Sequence, residues 1–384
     1  MKVCQVDDKR IGLYVHIPYC RQKCSYCDFN SFASMESTVP EYFNALQNEI
    51  KSYSDMLDDF TVKTVFIGGG TPSYVDSKYI YQLMDSLNRQ IKIEKDAEIS
   101  IETNPGTLTE EKLSVYREAG INRLSIGLQA WQNSLLKYLG RIHNIEDFIT
   151  NYKLALKAGF NNINVDLIFS VPGQSIKDWA ETIDNVSKLD INHLSCYSLK
   201  IEEGTPFGTQ LEEGKLKAAE DELDREMYWL AIEKLYSNGF KQYEISNFAR
   251  EGYECRHNLI YWNADEYIGF GAGAHSYFNK KRYNNIEDIC KYSALLANKL
   301  IPTENIQTID DEDAMSEYMI LRLRLIEGVS CKNFAQRFGQ DLEIKYARQI
   351  DKLVSSSLAD FNGDRIKLTT KGLDLANQAF IEFV

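Results

Sequence analysis

The chain has 384 residues, a formal net charge of −13, 26% charged and 12% aromatic residues, and eight cysteines. That length suits one large α/β domain plus a smaller one. The acidic balance excludes a broad nucleic-acid surface, which needs clustered Lys and Arg, but leaves room for a local basic pocket or a weak membrane contact. No apolar run approaches the roughly 20 residues of a bilayer span, and the first ten residues lack the apolar stretch of a signal peptide. So few cysteines in so long a chain are not a disulfide framework, which fits a reducing cytoplasm.

Short apolar runs alternate with longer amphipathic ones, the pattern of repeated βα units. Strands are predicted over 13–17, 62–67, 97–102, 123–127, 163–169, 193–199 and 242–247. Helices are predicted near 40–57, 76–90, 109–119, 131–138, 145–158, 175–188 and 217–238, with Gly120, Gly159 and Gly239 as helix-ending glycines. The implied fold class is α/β: a partial, TIM-like (β/α)6 barrel over 1–250, whose reactive groups gather at the C-terminal ends of its strands. Residues 251–304 read as a connecting segment. From 305 the rhythm changes to helices near 311–326, 330–338 and 342–354, a hairpin turning at Asn362-Gly363, and a last helix over 369–380. This order reads as a smaller, mostly helical, winged-helix-like domain. From Asp311 onward it holds ten Lys/Arg against twelve Asp/Glu, a net charge of −2, which argues against DNA binding.

Directly after the first predicted strand stand Cys20, Cys24 and Cys27, spaced C-x3-C-x2-C. A cubane iron–sulfur cluster normally takes four cysteines. Three leave one iron open to a small molecule, as three protein ligands leave a catalytic zinc open. A Cys3His zinc site using His16 is the rival reading. After the second strand, Phe66-Ile-Gly-Gly-Gly-Thr-Pro lets backbone approach a ligand and leaves amides and carbonyls available. It is neither a Walker loop nor a dinucleotide fingerprint. Polar residues fall at later strand ends: Glu102, Gln129 and Asp166. By alternation Asn164, Asp166 and Ile168 share a face, and a buried Asp166 needs a donor or a polar barrel mouth.

Together these segments resemble the branch of radical S-adenosylmethionine (SAM) proteins that holds oxygen-independent coproporphyrinogen III dehydrogenases and HemW-type heme chaperones. The resemblance runs from about residue 11 to the C-terminus. It implies that Cys20, Cys24 and Cys27 hold a [4Fe-4S] cluster. Tyr14, Tyr26, Gly69, Gly70, Thr71, Glu102, Gln129, Arg141 and Asp166 would then form the SAM pocket, the glycine run meeting the amino group of SAM. By residue chemistry alone Arg141 reads as solvated or as a carboxylate clamp.

Three features favour the chaperone type. Phe29 stands where the dehydrogenases carry a further cysteine, only nineteen residues precede Cys20, and Arg256-His-Asn-Leu-Ile-Tyr-Trp matches the H-N-x-x-Y-W motif. Imidazole and phenolate both ligate heme iron. By residue chemistry alone His257 reads as a satisfied polar contact; the resemblance, in which heme attachment is associated with this motif, implies His257 and Tyr261, four apart, as the candidate heme residues, with Cys255 and His275 as rivals and Trp262 as a flat apolar surface. The implied activity is binding of heme as cargo and its delivery to apo-hemoproteins such as respiratory enzymes. No catalytic residue is assigned. The alternative is oxidative decarboxylation of coproporphyrinogen III. A homodimer and a peripheral membrane contact stay open. Cys4, Cys196, Cys290 and Cys331 read as ordinary small apolar residues.

Overall fold

The computed structural model describes residues 9–384, so Cys4 lies outside the described residues. Six strands form the parallel heart of the sheet: β1 (Lys9–Ile17), β2 (Phe60–Gly69), β3 (Ile93–Thr103), β4 (Arg123–Gln129), β5 (Ile163–Phe169) and β6 (His193–Ser198). They pair in sequence order, because helices return the chain across one face between successive strands. Among those helices, Ser77–Gln90, Ile145–Lys157 and Ile176–Val186 begin at Asp76, Asn144 and Ser175, whose side chains accept amides of the first turn. The glycines expected to end helices, Gly120, Gly159 and Gly239, all have left-handed φ. The α/β barrel class is thus observed, and one apolar cluster runs through it from Ile11 to Leu296.

Two expectations change. The stretch 242–247 is not one further strand. It splits into β7 (Lys241–Glu244) and β8 (Asn247–Ala249), an antiparallel pair turning at Ile245-Ser246, and β8 extends the sheet from β6. The segment 251–304 also carries structure that its composition did not announce. Helix Arg256–Trp262 is followed by β9 (Tyr267–Phe270), β10 (His275–Phe278), β11 (Lys281–Asn285) and β12 (Thr303–Thr308). β9 lies parallel to β1, and the last three continue antiparallel, giving a 12-stranded sheet. These strands are short, and the last three are largely polar, so neither length nor sustained apolar alternation marks them.

A second apolar cluster spans Met315 to Phe383. Its helices Asp311–Arg322 and Cys331–Phe338 pack with a three-stranded antiparallel sheet that contains the expected hairpin, Ala359–Phe361 and Arg365–Leu368, turning at Gly363. The helices expected at 342–354 and 369–380 are each broken in two, at Tyr346 and Leu375. This unit bridges the two flanks of the barrel. Ile326 N donates to Tyr243 O at 3.0 Å, and Arg282 makes a two-pronged pair with Glu317 at 2.6 and 2.8 Å.

Candidate functional site

The cysteine loop is mounted at the C-terminal mouth of the barrel. Tyr19–Cys20 pairs with Phe32–Ala33, so the loop leaves and rejoins the same place. Ser25 N donates to Leu139 O at 3.1 Å, Phe207 N to Ser25 O at 2.9 Å, and Cys27 N to Cys24 O at 3.3 Å. His16 Nε2 donates to Asn30 O at 2.7 Å, which makes Nδ1 the acceptor for Tyr14 OH at 2.9 Å. Burial lowers the His16 pKa, in keeping with that neutral tautomer.

This arrangement bears on the metal. All three cysteines are free thiols, with Cys20 buried and Cys24 and Cys27 half-buried. The one lone pair of His16 is taken by Tyr14, so the Cys3His zinc reading loses its fourth ligand. Among the described residues no three His, Cys, Asp or Glu side chains close on a single ion. Thiolates that each bind a different iron of a cubane need no such convergence, and the donor set fits a cluster better than a single ion.

Around the thiols lies a hydrogen-bonded rim. Cys20 Sγ is 3.4 Å from Thr71 Oγ1, which accepts from Asn104 Nδ2 at 2.9 Å. Asn104 Oδ1 accepts from Arg141 Nη2 at 2.5 Å, and that same nitrogen donates to Gly127 O at 2.8 Å. Arg141 Nη1 points to Cys24 Sγ at 3.5 Å. Arg141 is therefore not solvated. Its Nε is buried without a partner, an unspent donor at the mouth. Tyr26 lies beside Arg141 and packs on the apolar patch of Leu135, Leu136 and Phe207.

Gln129 has φ +72°, at a bulge where β4 shifts register against β5. A Cβ at Gly127 would stand 2.9 Å from Asn104 Oδ1 and Gln129 Nε2 and 3.2 Å from Arg141 Nη2, so only glycine lets the three gather. The glycine run differs from expectation in one respect. The amides of Gly69, Gly70 and Thr71 are already given to Glu102 Oε2, Ile17 O and Tyr19 O. These three amides are therefore not free for a ligand oxygen, whereas a ligand ammonium, which only donates, would meet the carbonyls of the run in any case.

Deeper in the mouth are two carboxyl groups. Asp166 accepts from Ser125 Oγ at 2.7 Å and Asn164 Nδ2 at 2.8 Å, the donors its position demanded. Glu102 is pushed up to about 8, first by burial and then by the charge of Asp166. Sequence reasoning missed Asn104, Ser125 and Asn164 as supports of this site. Asn104 follows a strand end, and Asn164 shares a face with Asp166, so both left a signal.

The residues expected to meet heme lie elsewhere. His257 is on the helix Arg256–Trp262, which plugs the barrel floor, and is 1% exposed. Its Nδ1 and Nε2 are each 2.8 Å from a hydroxyl, Thr64 Oγ1 and Tyr261 OH, and its ring stacks on Phe66 at 5.2 Å. Desolvation holds its pKa down to about 3. Both ring nitrogens are thus engaged within the barrel in this structure. The rival Cys255 is fully buried and directs its thiol at Glu98, which also accepts the first amides of the plug helix, Arg256 N and His257 N. Trp262 is covered by the Arg324 guanidinium at 4.4 Å.

Comparison with known proteins names the architecture. Residues 14–186 match the family model of the Radical SAM superfamily, and 309–375 match the HemN C-terminal domain. A protein of Bacillus subtilis described as heme chaperone HemW is 38% identical over 97% of this chain and 98% of its own length. Another of that description, from Lactococcus lactis, is 33% identical over 97% of this chain and 96% of its own. The chain belongs to the HemW family of radical SAM proteins. Membership in this superfamily implies a [4Fe-4S] cluster and SAM. The structure of coproporphyrinogen III oxidase HemN from Escherichia coli superposes with a TM-score of 0.85, covering 98% of this chain and 91% of that one at 23% identity. That likeness establishes the shared fold. Among the described residues no helix is long and apolar enough to cross a membrane.

Proposed function

We propose that this chain is a cytoplasmic heme chaperone that carries a SAM-liganded [4Fe-4S] cluster, binds heme and passes it to apo-hemoproteins such as respiratory enzymes. The observation that carries the cofactor part is the mouth itself: three free thiols held beside Arg141, Thr71 and Asn104. The cluster would be held by Cys20, Cys24 and Cys27, and its open iron would supply a Lewis-acid site for the amino and carboxylate groups of SAM. Around that ligand Arg141, with its unpartnered Nε, serves as the carboxylate clamp. The glycine run meets the ammonium through carbonyls, and Tyr14, Tyr26, Glu102, Gln129 and Asp166 complete the walls. The heme part rests on the family relationship. A weak contact with a membrane surface fits acceptors that reside there, and nucleic acid is not a partner of so acidic a chain.

The second reading, a coproporphyrinogen III dehydrogenase, is favoured by the full-length fold likeness to HemN. Against it stands Phe29, 62% exposed, at the place of the dehydrogenases' further cysteine. One paired assay separates the two. Anaerobically reconstituted protein is incubated with reductant, SAM and coproporphyrinogen III, and separately titrated with heme. Stoichiometric heme binding without vinyl-porphyrin formation is the expected result; repeated turnover to protoporphyrinogen would overturn the chaperone reading.

A further inference from the structure

The plug helix Arg256–Trp262 ends against the C-terminal unit, and the joint is a groove of about 430 Å³. One wall is Asn263 and Asp265, directly after the plug helix. The other comes from the helices Asp311–Arg322 and Cys331–Phe338, which bring Tyr318, Arg322, Asn333, Gln336 and Arg337.

The groove is rich in donors. Arg337 reaches across it, giving Nη1 to Asn263 O at 2.9 Å and Asp265 Oδ1 at 3.2 Å, and Nη2 to Ala264 O. Arg322 gives Nη1 to Asn263 Oδ1, and Nη2 to Glu327 Oε1 at 2.6 Å and Gly328 O at 3.1 Å, while its buried Nε has no partner. Asp265, the one carboxylate of the lining, is already shared between Arg337 and Lys63, the latter at 3.5 Å. Asn333 and Gln336, three apart on one helix face, are exposed. Neither amide, nor the Tyr318 hydroxyl, makes a side-chain hydrogen bond among the described residues.

Capping the last carbonyls of the plug helix accounts for the bonds of Arg337. It does not account for two free amides and a free phenol gathered around the same guanidinium groups. Such a set, with its own carboxylate spent, is complementary to the oxygens of a bound carboxylate. In a chain of net charge −13 this is a local concentration of cations. Its place is also telling. Asn263 lies six residues beyond His257, about 9 Å along a helix axis, which is the order of the reach from the centre of a porphyrin to its carboxylates.

We propose that this groove takes the propionates of heme, with the macrocycle lying back along the plug helix and the iron left to the residues of its histidine motif. This inference rests on the heme-chaperone reading and adds to it the seat of the cargo's carboxylates.

The test pairs hemin with hemin dimethyl ester, which keeps the iron and the ring but has no carboxylates. Both are titrated, by the Soret band, into the wild type, Arg337→Gln and the double variant Asn333→Asp/Gln336→Glu, with circular dichroism as the check on folding. The double variant alters two exposed, unpartnered side chains and should fold as the wild type does. Its added charges should weaken hemin binding about tenfold or more and leave affinity for the ester unchanged. Arg337→Gln should show the same split between the two ligands. Equal losses for hemin and ester would reduce Arg337 to a helix cap and overturn the assignment, as would wild-type affinity for hemin in the double variant. Failure of the wild type to bind either ligand would instead remove the chaperone reading beneath it.

Discussion

The two ends of this barrel are built from the same residue types and behave oppositely. At the floor, His257, Tyr261, Cys255, Glu98 and Thr64 spend their polar atoms on one another beneath the plug helix. At the mouth, three thiols remain free, Arg141 keeps an unpartnered Nε, and His275 is exposed. A buried group whose valences are satisfied stabilises the fold and offers nothing to a ligand, whereas a preorganised group with a valence left over is a binding element. The two ends are connected. Cys255 N donates to Tyr243 OH, which meets His193 Nε2 at 2.9 Å, while His193 Nδ1 donates to Asn164 Oδ1 at 2.6 Å, and Asn164 holds Asp166.

Substitutions break this contrast in different ways. The largest expected effect is at the mouth: Cys24→Ala should abolish cluster reconstitution, read as loss of iron, sulfide and broad visible absorption, with urea stability of the cluster-free protein unchanged. Retained iron and sulfide would sever the link between the thiols and the cluster. Gly127→Ala pushes Asn104, Gln129 and Arg141 apart, so SAM affinity by calorimetry should fall by about tenfold or more while the fold persists. At the floor the sign reverses. His257→Phe leaves two buried hydroxyls without their shared partner, and stability should drop by about 2–4 kcal/mol in urea, with cluster content intact. Gly12→Ala sets a Cβ 2.3 Å from Ile260 Cδ1 of the plug helix, and should cost about 1–3 kcal/mol by the same measurement.

A pH experiment sharpens the comparison least but tests one buried carboxyl directly. Glu49, under the turn 271–274, is pushed up to about 7 by burial, against the lowering effect of its donors Tyr292, Gly271 and Asn285. A carboxyl with a raised folded pKa binds its proton more tightly when folded. Its contribution is therefore most favourable below about 4.5, declines as pH rises through about 7, and then levels off. Glu102 acts in the same direction up to about 8. Below about pH 6.5 the buried histidines His143 and His257, whose folded pKa is held down to about 3, act in the opposite sense, so the fall is read above it: wild-type stability should decrease between pH 6.5 and pH 8.5 by an amount on the order of a few kcal/mol, and the slope should flatten in Glu49→Gln. An identical slope in the two proteins would remove Glu49 as the titrating group.

Local sequence determined a good deal here. The six parallel strands and their helices announce themselves because buried parallel strands need continuous apolar runs. The cysteine spacing states its chemistry because three thiolates on one short loop have few other uses, and Asp166 was legible because a carboxylate in an apolar strand demands donors. What tertiary structure alone decided is which polar groups are already spent. Strand β9 has only four residues and β10–β12 are short and largely polar, stable only because β1 and their neighbours supply hydrogen bonds, so their pattern is silent. The motif holding His257 is conspicuous in the chain, yet its fate depends on Thr64 and Phe66, nearly two hundred residues away. Spacing reveals which atoms a chain possesses; only the folded surroundings settle which lone pairs and protons are left for something else.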